Sequence, residues 1–591
     1  MHHISSVHVE NYRSIKCHEF PLAQFTALVG YNNAGKTSLL EAVNWLAKKS
    51  SLDVKSFGDA TKPVVVTATI SGIDEAVLEA LGQTHRPKIE PLVDNGTIVI
   101  RRTQAEPGMK AADIKLTIRT TNESGEETWN NPAGIDAAIG YLFPEPILIG
   151  AMENATEDVG KFAAGTTIGK LIKEIMGPIT EAHATSVAEA LGELNKKLSA
   201  SGEEKDQSLV DLDARIQTEL VNFFPGVTAK THIPTPGIDD FFKGATIRIF
   251  EEGFEHAEGR DAGQFGHGAQ RSIQIALVTC LARMKREAGS TAGRTTLLLI
   301  DEPELYLHPQ AIELVRASLA KLAGDGYQVL FSTHSPLMIS REVASKALLI
   351  RRNVALGTHA YPRVEQAVAD AIADGAHQAE TLFALTNSAK FLFSEKVLLT
   401  EGKTEHVLIP EIFAHEVGAT IEERKTALIS LGGTGNIPNA MRVLQTMGIP
   451  VRAVVDLDFA FKVATLHGLL AADHPGVLGC KAIFAQMAEA DEITLNSDGL
   501  PQSGNGLSAG KCYAIMAQRD EATPHIAAIH ADLLGHGVWC WAKGAIEAHL
   551  GLESKSTAEH CAFLDKFKCE GYCAALAHYG AVKDMVQWAQ G

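Results

Sequence analysis

Eight residues near the N-terminus, GYNNAGKT from Gly30 to Thr37, constrain this chain more than any other stretch. They follow a short apolar run, FTALVG, and open a helical pattern from about Lys36 to Lys48. The spacing fits G-x-x-x-x-G-K-[ST], the phosphate-binding loop, in the strand-then-helix context that loop requires. Gly30 and Gly35 free the backbone to turn. The N–H groups of Asn32, Asn33, Ala34 and Ser38 can then face phosphate oxygens at a helix N-terminus. Lys36 is expected at the β- and γ-phosphates of ATP, and Thr37 on its Mg²⁺.

Three later segments suit the same chemistry. TLLLIDEPELYLHP, Thr296 to Pro309, is a buried-strand pattern ending in Asp301 and Glu302. Asp301 suits an Mg²⁺ ligand, and Glu302 suits the base that polarises the attacking water. FSTHSP, Phe331 to Pro336, places His334 after another apolar strand, within reach of a γ-phosphate. QFGHGAQRS, Gln264 to Ser272, precedes a helix and carries Gly268 and Gln270.

A second group of carboxylates lies further along. VLLTEGKTEHVLIPEIF, Val397 to Phe413, puts Glu401 at a strand end and Glu405 at the start of a helix. VRAVVDLD, Val451 to Asp458, ends a second apolar strand in Asp456 and Asp458. Strand ends of an open α/β sheet are where ligands gather. Oxygen-only ligands suit Mg²⁺ or Mn²⁺ rather than structural zinc. Two such ions, about 3.5–4 Å apart, can clamp the attacking and leaving oxygens of a phosphodiester.

The order P-loop, GHGAQ, DEPE-x-x-LHP, STHSP resembles the ABC-type ATPase heads of the SMC and RecF-like group. Where that signature usually has serine, this chain has His267. The resemblance implies that Gly268 and Gln270 reach ATP held by a second copy, so a homodimer or higher homo-oligomer is expected. No Q-loop glutamine stands in GAMENATED, which begins at Gly150. The EG-x-x-E and DLD pattern resembles a TOPRIM domain. Head and TOPRIM together resemble the OLD (overcoming lysogenization defect) family of nucleases.

That resemblance implies metal-dependent DNA cleavage or nicking in phage defence; ATP is expected as its regulator, and the sequence leaves open a helicase-like or other defence-system partner. The resemblance also implies a late basic and acidic pair. VWCWAKGAIEAHL offers Lys543, to stabilise developing phosphorane charge, and Glu547, to complete a metal shell. If the segment is helical, their spacing puts them on one face. Two other readings are a nucleotide-sensing scaffold and a RecF-like repair ATPase whose TOPRIM domain binds rather than cuts.

The expected fold is α/β: an ABC-type head with a helical insertion, then a Rossmann-like TOPRIM domain. The divisions are 1–165 and 236–389 for the head and connector, 166–235 for an insertion expected to support dimerisation, and 390–591 for the nuclease domain. Residues 63–118 read as an antiparallel sheet; 485–535 carry no clear pattern, and QSGNGLSAG within them reads as loop. A net charge of −18 argues against wholesale coating of nucleic acid but leaves room for a local basic stripe. No apolar run is long enough to span a bilayer, no leader pattern stands at the N-terminus, and a cytoplasmic protein is expected. The 8 cysteines match no common zinc spacing.

Overall fold

The computed structural model describes residues 2–121, 124–143, 146–150, 189–220, 227–233, 248–251, 259–287, 294–386, 389–504, 506–570 and 576–591. The chain forms two compact units. One comprises Met1–Arg13, Pro21–Phe25 and Thr37–Thr333, and the other Ser14–Phe20, Thr26–Lys36 and His334–Gly591.

The first unit contains an antiparallel meander. The strands His3–Tyr12, Val64–Ser71, Thr97–Gln104, Leu116–Thr121 and Glu127–Asn130 pair in that order. Val64–Ser71 alternates buried and half-buried positions along its length, as a sheet covered on one face should. Next comes a parallel trio: Thr296–Ile300 pairs with Tyr327–Thr333 on one side and Ile147–Ile149 on the other. Thr296–Ile300 and Tyr327–Thr333 are buried throughout, which is why their centres, LLLI and VLF, are continuous apolar runs. Helices His267–Glu287 and Pro309–Gly324 pack together, and the second also covers Tyr327–Thr333.

Much of the expected insertion, including LIKEIM, lies outside the described residues, as does GAMENATED beyond Gly150. Within the described part, 189–198 and Gln207–Leu220 are helical, with turns between them where SASGEEKDQS broke the pattern.

In the second unit the hairpin Leu348–Asn353 and Gly357–Ala360 is joined by strand residues from Phe25–Val29, which run parallel to Leu348–Asn353. Helices Val364–Ala371 and Gly375–Thr386 occupy the segment read as a helical connector. A four-stranded parallel sheet follows, in the order Thr426–Ser430, Lys396–Thr400, Val451–Val455, Val538–Cys540. Helices Lys403–Val417, Thr557–Glu570 and Tyr579–Gln590 share an apolar core with it, built from Leu398, Leu408, Phe413, Val454, Phe563 and Val586.

Residues 485–535, which carry no clear pattern in the sequence, are largely helical. Pro475–Glu489, Ala509–Met516 and Thr523–Gly535 are all helices. Ile526, Ile529 and Leu533 carry the apolar spacing of the last one. Pro at helix starts and glycines between short helices masked the pattern, although Pro is tolerated in a first turn. Among the described residues, no helix is long and apolar enough to cross a membrane.

Candidate active site

The nucleotide motifs are divided between the two units. In the second unit, the P-loop is packed so tightly that its glycines cannot be replaced. A Cβ on Gly30 would lie 2.4 Å from the Ile350 carbonyl oxygen. Gly35 has φ +102°, and a Cβ there would meet the Thr358 side chain at 2.2 Å. Thr358 Oγ1 also donates to the Ala34 carbonyl at 2.8 Å. Asn33 adopts a left-handed φ of 63° that turns the loop, while Asn32 and Asn33 stay exposed. The buried Lys36 ammonium donates to the carbonyls of Gly30 (3.0 Å) and Tyr31 (3.1 Å), and lies 2.7 Å from His334 Nε2. Lys36 and His334 are therefore brought together as the sequence order implied.

In the first unit, Thr37 Oγ1 donates to Asp301 Oδ2 at 2.8 Å, pairing the two expected Mg²⁺ ligands. Ser332 Oγ donates to the other Asp301 oxygen and accepts from the Glu302 N–H at 3.0 Å. Glu302 has φ +47°, a strained left-handed turn immediately after the strand. Ser38 is buried in the helix that follows the loop. Gly268 is required by close approach: a Cβ would sit 2.6 Å from the Tyr306 carbonyl oxygen. The His267 ring lies over Tyr306 at 5.2 Å. Within one chain, Gln270 Nε2 braces its own loop through the carbonyls of Phe265 (2.7 Å) and Gly263 (3.2 Å).

The sequence reading missed Arg271. It is 2% exposed. Its guanidinium donates to the carbonyls of Asp301 (2.7 Å), Glu302 (3.1 Å) and Gly150 (3.0 Å), and to Gln274 Oε1 (2.8 Å). It pins the helix after GHGAQ to the turn bearing both acidic residues. The only signal was a basic residue on the buried face of that helix.

The carboxylates gather at the C-terminal edge of the parallel sheet. Glu401 follows Lys396–Thr400, Asp456 follows Val451–Val455, and Glu405 stands in the first turn of Lys403–Val417. Glu405, Asp456 and Glu547 are 1%, 8% and 7% exposed. Each of Glu401, Glu405, Asp456, Asp458 and Glu547 has one buried oxygen with no hydrogen-bond partner. Burial, then the nearby Asp458 charge, pushes Glu401 up to about 7. Burial and Asp456 do the same to Glu405. Burial lifts Asp456 to about 8, against the pull of Lys555. Thr404 Oγ1 donates to Glu547 Oε1 at 2.6 Å and fixes that side chain.

Lys543 does not join this group. The expected shared helix face fails because helix Ile546–Leu550 begins after it, with Ala545 extended at φ −146°. The Lys543 ammonium donates instead to the Ala517 carbonyl at 3.2 Å. The cation that bridges two of the carboxylates is instead Lys555, 3.2 Å from Asp456 Oδ2 and 3.6 Å from Glu547 Oε1. Lys462 pairs with Asp458 at 2.9 Å. Lys555 sits in a polar loop, LESKST, with no motif to mark it.

Among the described residues, no three His, Cys, Asp or Glu side chains stand as a ready-made ligand group. The donor chemistry nevertheless fits a hard divalent cation, because orphaned buried carboxylate oxygens are what such an ion satisfies.

Residues 392–458 match the family model described as "Overcoming lysogenization defect protein-like, TOPRIM domain". Residues 3–224 and 163–339 match that of an AAA ATPase domain. The Old nuclease of Escherichia phage P2 is 34% identical over 593 residues, covering 99% of each chain. This chain belongs to the OLD nuclease family. An OLD nuclease of Thermus scotoductus is 22% identical over 488 residues, 77% of this chain and 82% of the relative. Among solved structures, the Smc head bound to the C-winged helix domain of ScpA aligns with TM-score 0.37 and 15% identity, over 61% of this chain and 96% of that one. The OLD-family chain is thus an ATPase and a nuclease, as its motifs implied. The TOPRIM match includes Glu401, Glu405, Asp456 and Asp458 and ends before Glu547 and Lys555.

Proposed function

We propose that this OLD-family chain is an ATP-regulated DNA endonuclease or nickase, dependent on Mg²⁺ or Mn²⁺, that acts in anti-phage defence. The observation that carries this reading is the sheet-edge group of five carboxylates, each with a buried unpartnered oxygen. Glu401, Glu405, Asp456, Asp458 and Glu547 would hold the ions. Bound there, two divalent ions supply an activated water and charge neutralisation at the phosphodiester. Thr404 keeps Glu547 turned inward. Lys555, with its side chain 60% exposed, is free enough to exchange its carboxylate contacts for a phosphate oxygen. We assign to it the charge-stabilising role first expected of Lys543.

On the ATPase side, Lys36 and His334 would face the γ-phosphate, Thr37 and Asp301 the Mg²⁺, and Glu302 the water. Gly268 and Gln270 would meet ATP in a second copy, so the working form is a homodimer or larger. We retain 166–235 as the dimerising insertion, 1–165 with 236–389 as the head and connector, and 390–591 as the nuclease domain. A helicase-like or other defence-system partner remains part of the proposal.

A contiguous set of contacts supports regulation by ATP. The carbonyl of Tyr31, in the P-loop, accepts from Lys36. Its hydroxyl donates to the Arg352 carbonyl at 2.8 Å, and its ring lies under the Arg351 guanidinium at 5.3 Å. Arg351 Nη2 donates to the Ser394 carbonyl at 2.9 Å, two residues before the strand that ends at Glu401. A shift of the P-loop on binding ATP would bear on that strand.

The test is conversion of supercoiled plasmid to nicked or linear DNA, across Mg²⁺ and Mn²⁺, with and without ATP. Metal-dependent conversion whose rate changes with ATP is expected. No conversion under any of these conditions would instead support a TOPRIM domain that binds without cutting.

A further inference from the structure

Lys543 faces a cavity of its own. The cavity measures about 280 Å³ and lies beside the edge strand Val538–Cys540. Its inner wall is aromatic. Trp541 and His549 are buried with ring centroids 4.7 Å apart, and His530 meets Trp539 edge-on at 4.6 Å. Its rim is exposed, and Ala527, Ala542 and Asp584 stand there.

Two N–H donors in this wall have no acceptor among the described residues, and a third group, the Lys543 ammonium, has donors to spare. Trp541 Nε1 is buried without a partner. His549 Nε2 accepts from the Lys543 backbone N–H at 3.1 Å, which leaves the ring hydrogen on Nδ1, also buried without a partner. Lys543 spends one ammonium proton on the Ala517 carbonyl and has two more. Buried polar groups are nearly always paired, so two orphaned donors on one cavity point to a ligand with acceptors. Flat aromatic walls take a π-face. Asp584 on the rim takes a ring N–H or an amino group. The volume lies at the low end for small-molecule sites, which suits one ring system.

We propose that this cavity is a nucleobase pocket, selective for bases that carry a carbonyl oxygen. A free nucleoside and a base of DNA present the same recognition chemistry. The segment lining the pocket also supports the carboxylate group. The Trp541 backbone N–H donates to the Val455 carbonyl at 3.0 Å, and the Leu457 backbone N–H to the Gly544 carbonyl at 2.6 Å. Glu547 and His549 share one short helix, Ile546–Leu550. An occupied pocket therefore stiffens the strand end at Asp456 and the mounting of Glu547. That consequence rests on the nuclease reading, whereas base binding does not.

The test uses the full chain without divalent metal and follows tryptophan fluorescence. Trp539, Trp541 and Trp588 form one ring cluster here, three of the chain's 5 tryptophans. Guanosine and thymidine should quench saturably, and adenosine about tenfold more weakly, the worth of one charge-assisted hydrogen bond. Lys543→Met should weaken the first two by a similar factor. Ala527→Phe should fill the space and abolish the effect, with Asp584→Asn as an exposed variant that spares the core. An oligonucleotide and its abasic counterpart separate the sources. Quenching by the base-bearing strand assigns the pocket to DNA, and quenching by nucleosides alone assigns it to a free ligand. No saturable quenching by any of these probes, or quenching unchanged in all three variants, would overturn the proposal.

Discussion

Lys555 Nζ lies 3.2 Å from Asp456 Oδ2, although the two are 99 residues apart in sequence. Burial works against the Lys555 charge, but Asp456, Glu547 and Glu405 outweigh it and hold the ammonium more firmly protonated than usual. A fixed positive charge beside orphaned carboxylate oxygens is what phosphodiester chemistry needs next to its metals. Lys555→Ala should lower kcat for plasmid cleavage by about 10²–10³, the scale of losing one charge-stabilising donor. Lys555→Arg should restore part of it, and Lys543→Ala should cost far less. Equal losses in the two alanine variants, measured at saturating DNA, would return the role to Lys543.

Metal binding should be linked to pH. In the metal-free protein, Glu401 and Glu405 titrate near 7 and Asp456 near 8. Raised carboxylates favour the folded state fully below their unfolded values near 4, and that contribution fades as pH climbs through 7 to 8. A cation competes with those protons, so metal affinity should rise over the same window and binding near pH 7 should release protons. Calorimetry in two buffers of different ionisation enthalpy reads the release directly. Heats that do not depend on the buffer would contradict it. Thermal melts should show metal stabilising the protein more at pH 8 than at pH 6.

Glu302→Gln should bind ATP but hydrolyse it slowly, and so favour engaged heads in size-exclusion chromatography. Turnover equal to wild type would remove Glu302 from the role of base.

Arg271→Ala should reduce ATP hydrolysis by at least about tenfold while ATP still binds, because the Asp301–Glu302 turn loses its anchor. Each stranded buried acceptor also costs roughly 1–3 kcal/mol of stability. Normal hydrolysis in a folded Arg271→Ala protein would show that Ser332 alone holds the turn.

Arg351→Met should leave nucleotide-free cleavage intact and erase the response to ATP. It removes the link between Tyr31 and Ser394 while leaving every residue assigned to phosphate or metal in place. An unchanged ATP response would place the coupling elsewhere.

The sequence was most legible where one segment carries both the strand and the chemistry. GYNNAGKT, TLLLIDEPE, VLLTEG and VRAVVDLD each end an apolar run at the reactive residue, so register and function are read together. It was least legible where function comes from a loop or a return visit by the chain. Lys555 stands in LESKST, and its role exists only because helix Thr557–Glu570 brings the preceding loop back to the sheet edge. Arg271 looks like any helix arginine until the turn at Glu302 closes over it. Lys543 was placed by the family resemblance and a four-residue spacing to Glu547, but with Ala545 extended the two share no helix face, and the Lys543 ammonium goes to the Ala517 carbonyl.

The central claim is that the Asp456 carboxylate group is where DNA is cut. Single-turnover cleavage of supercoiled plasmid by wild type and by Asp456→Asn, in saturating Mn²⁺ and with ATP turnover monitored in parallel, tests it most directly. The account predicts at least about a 10³-fold loss of cleavage with ATP hydrolysis preserved, as for removal of a catalytic group that acts as part of a unit. Cleavage within a few fold of wild type would contradict it.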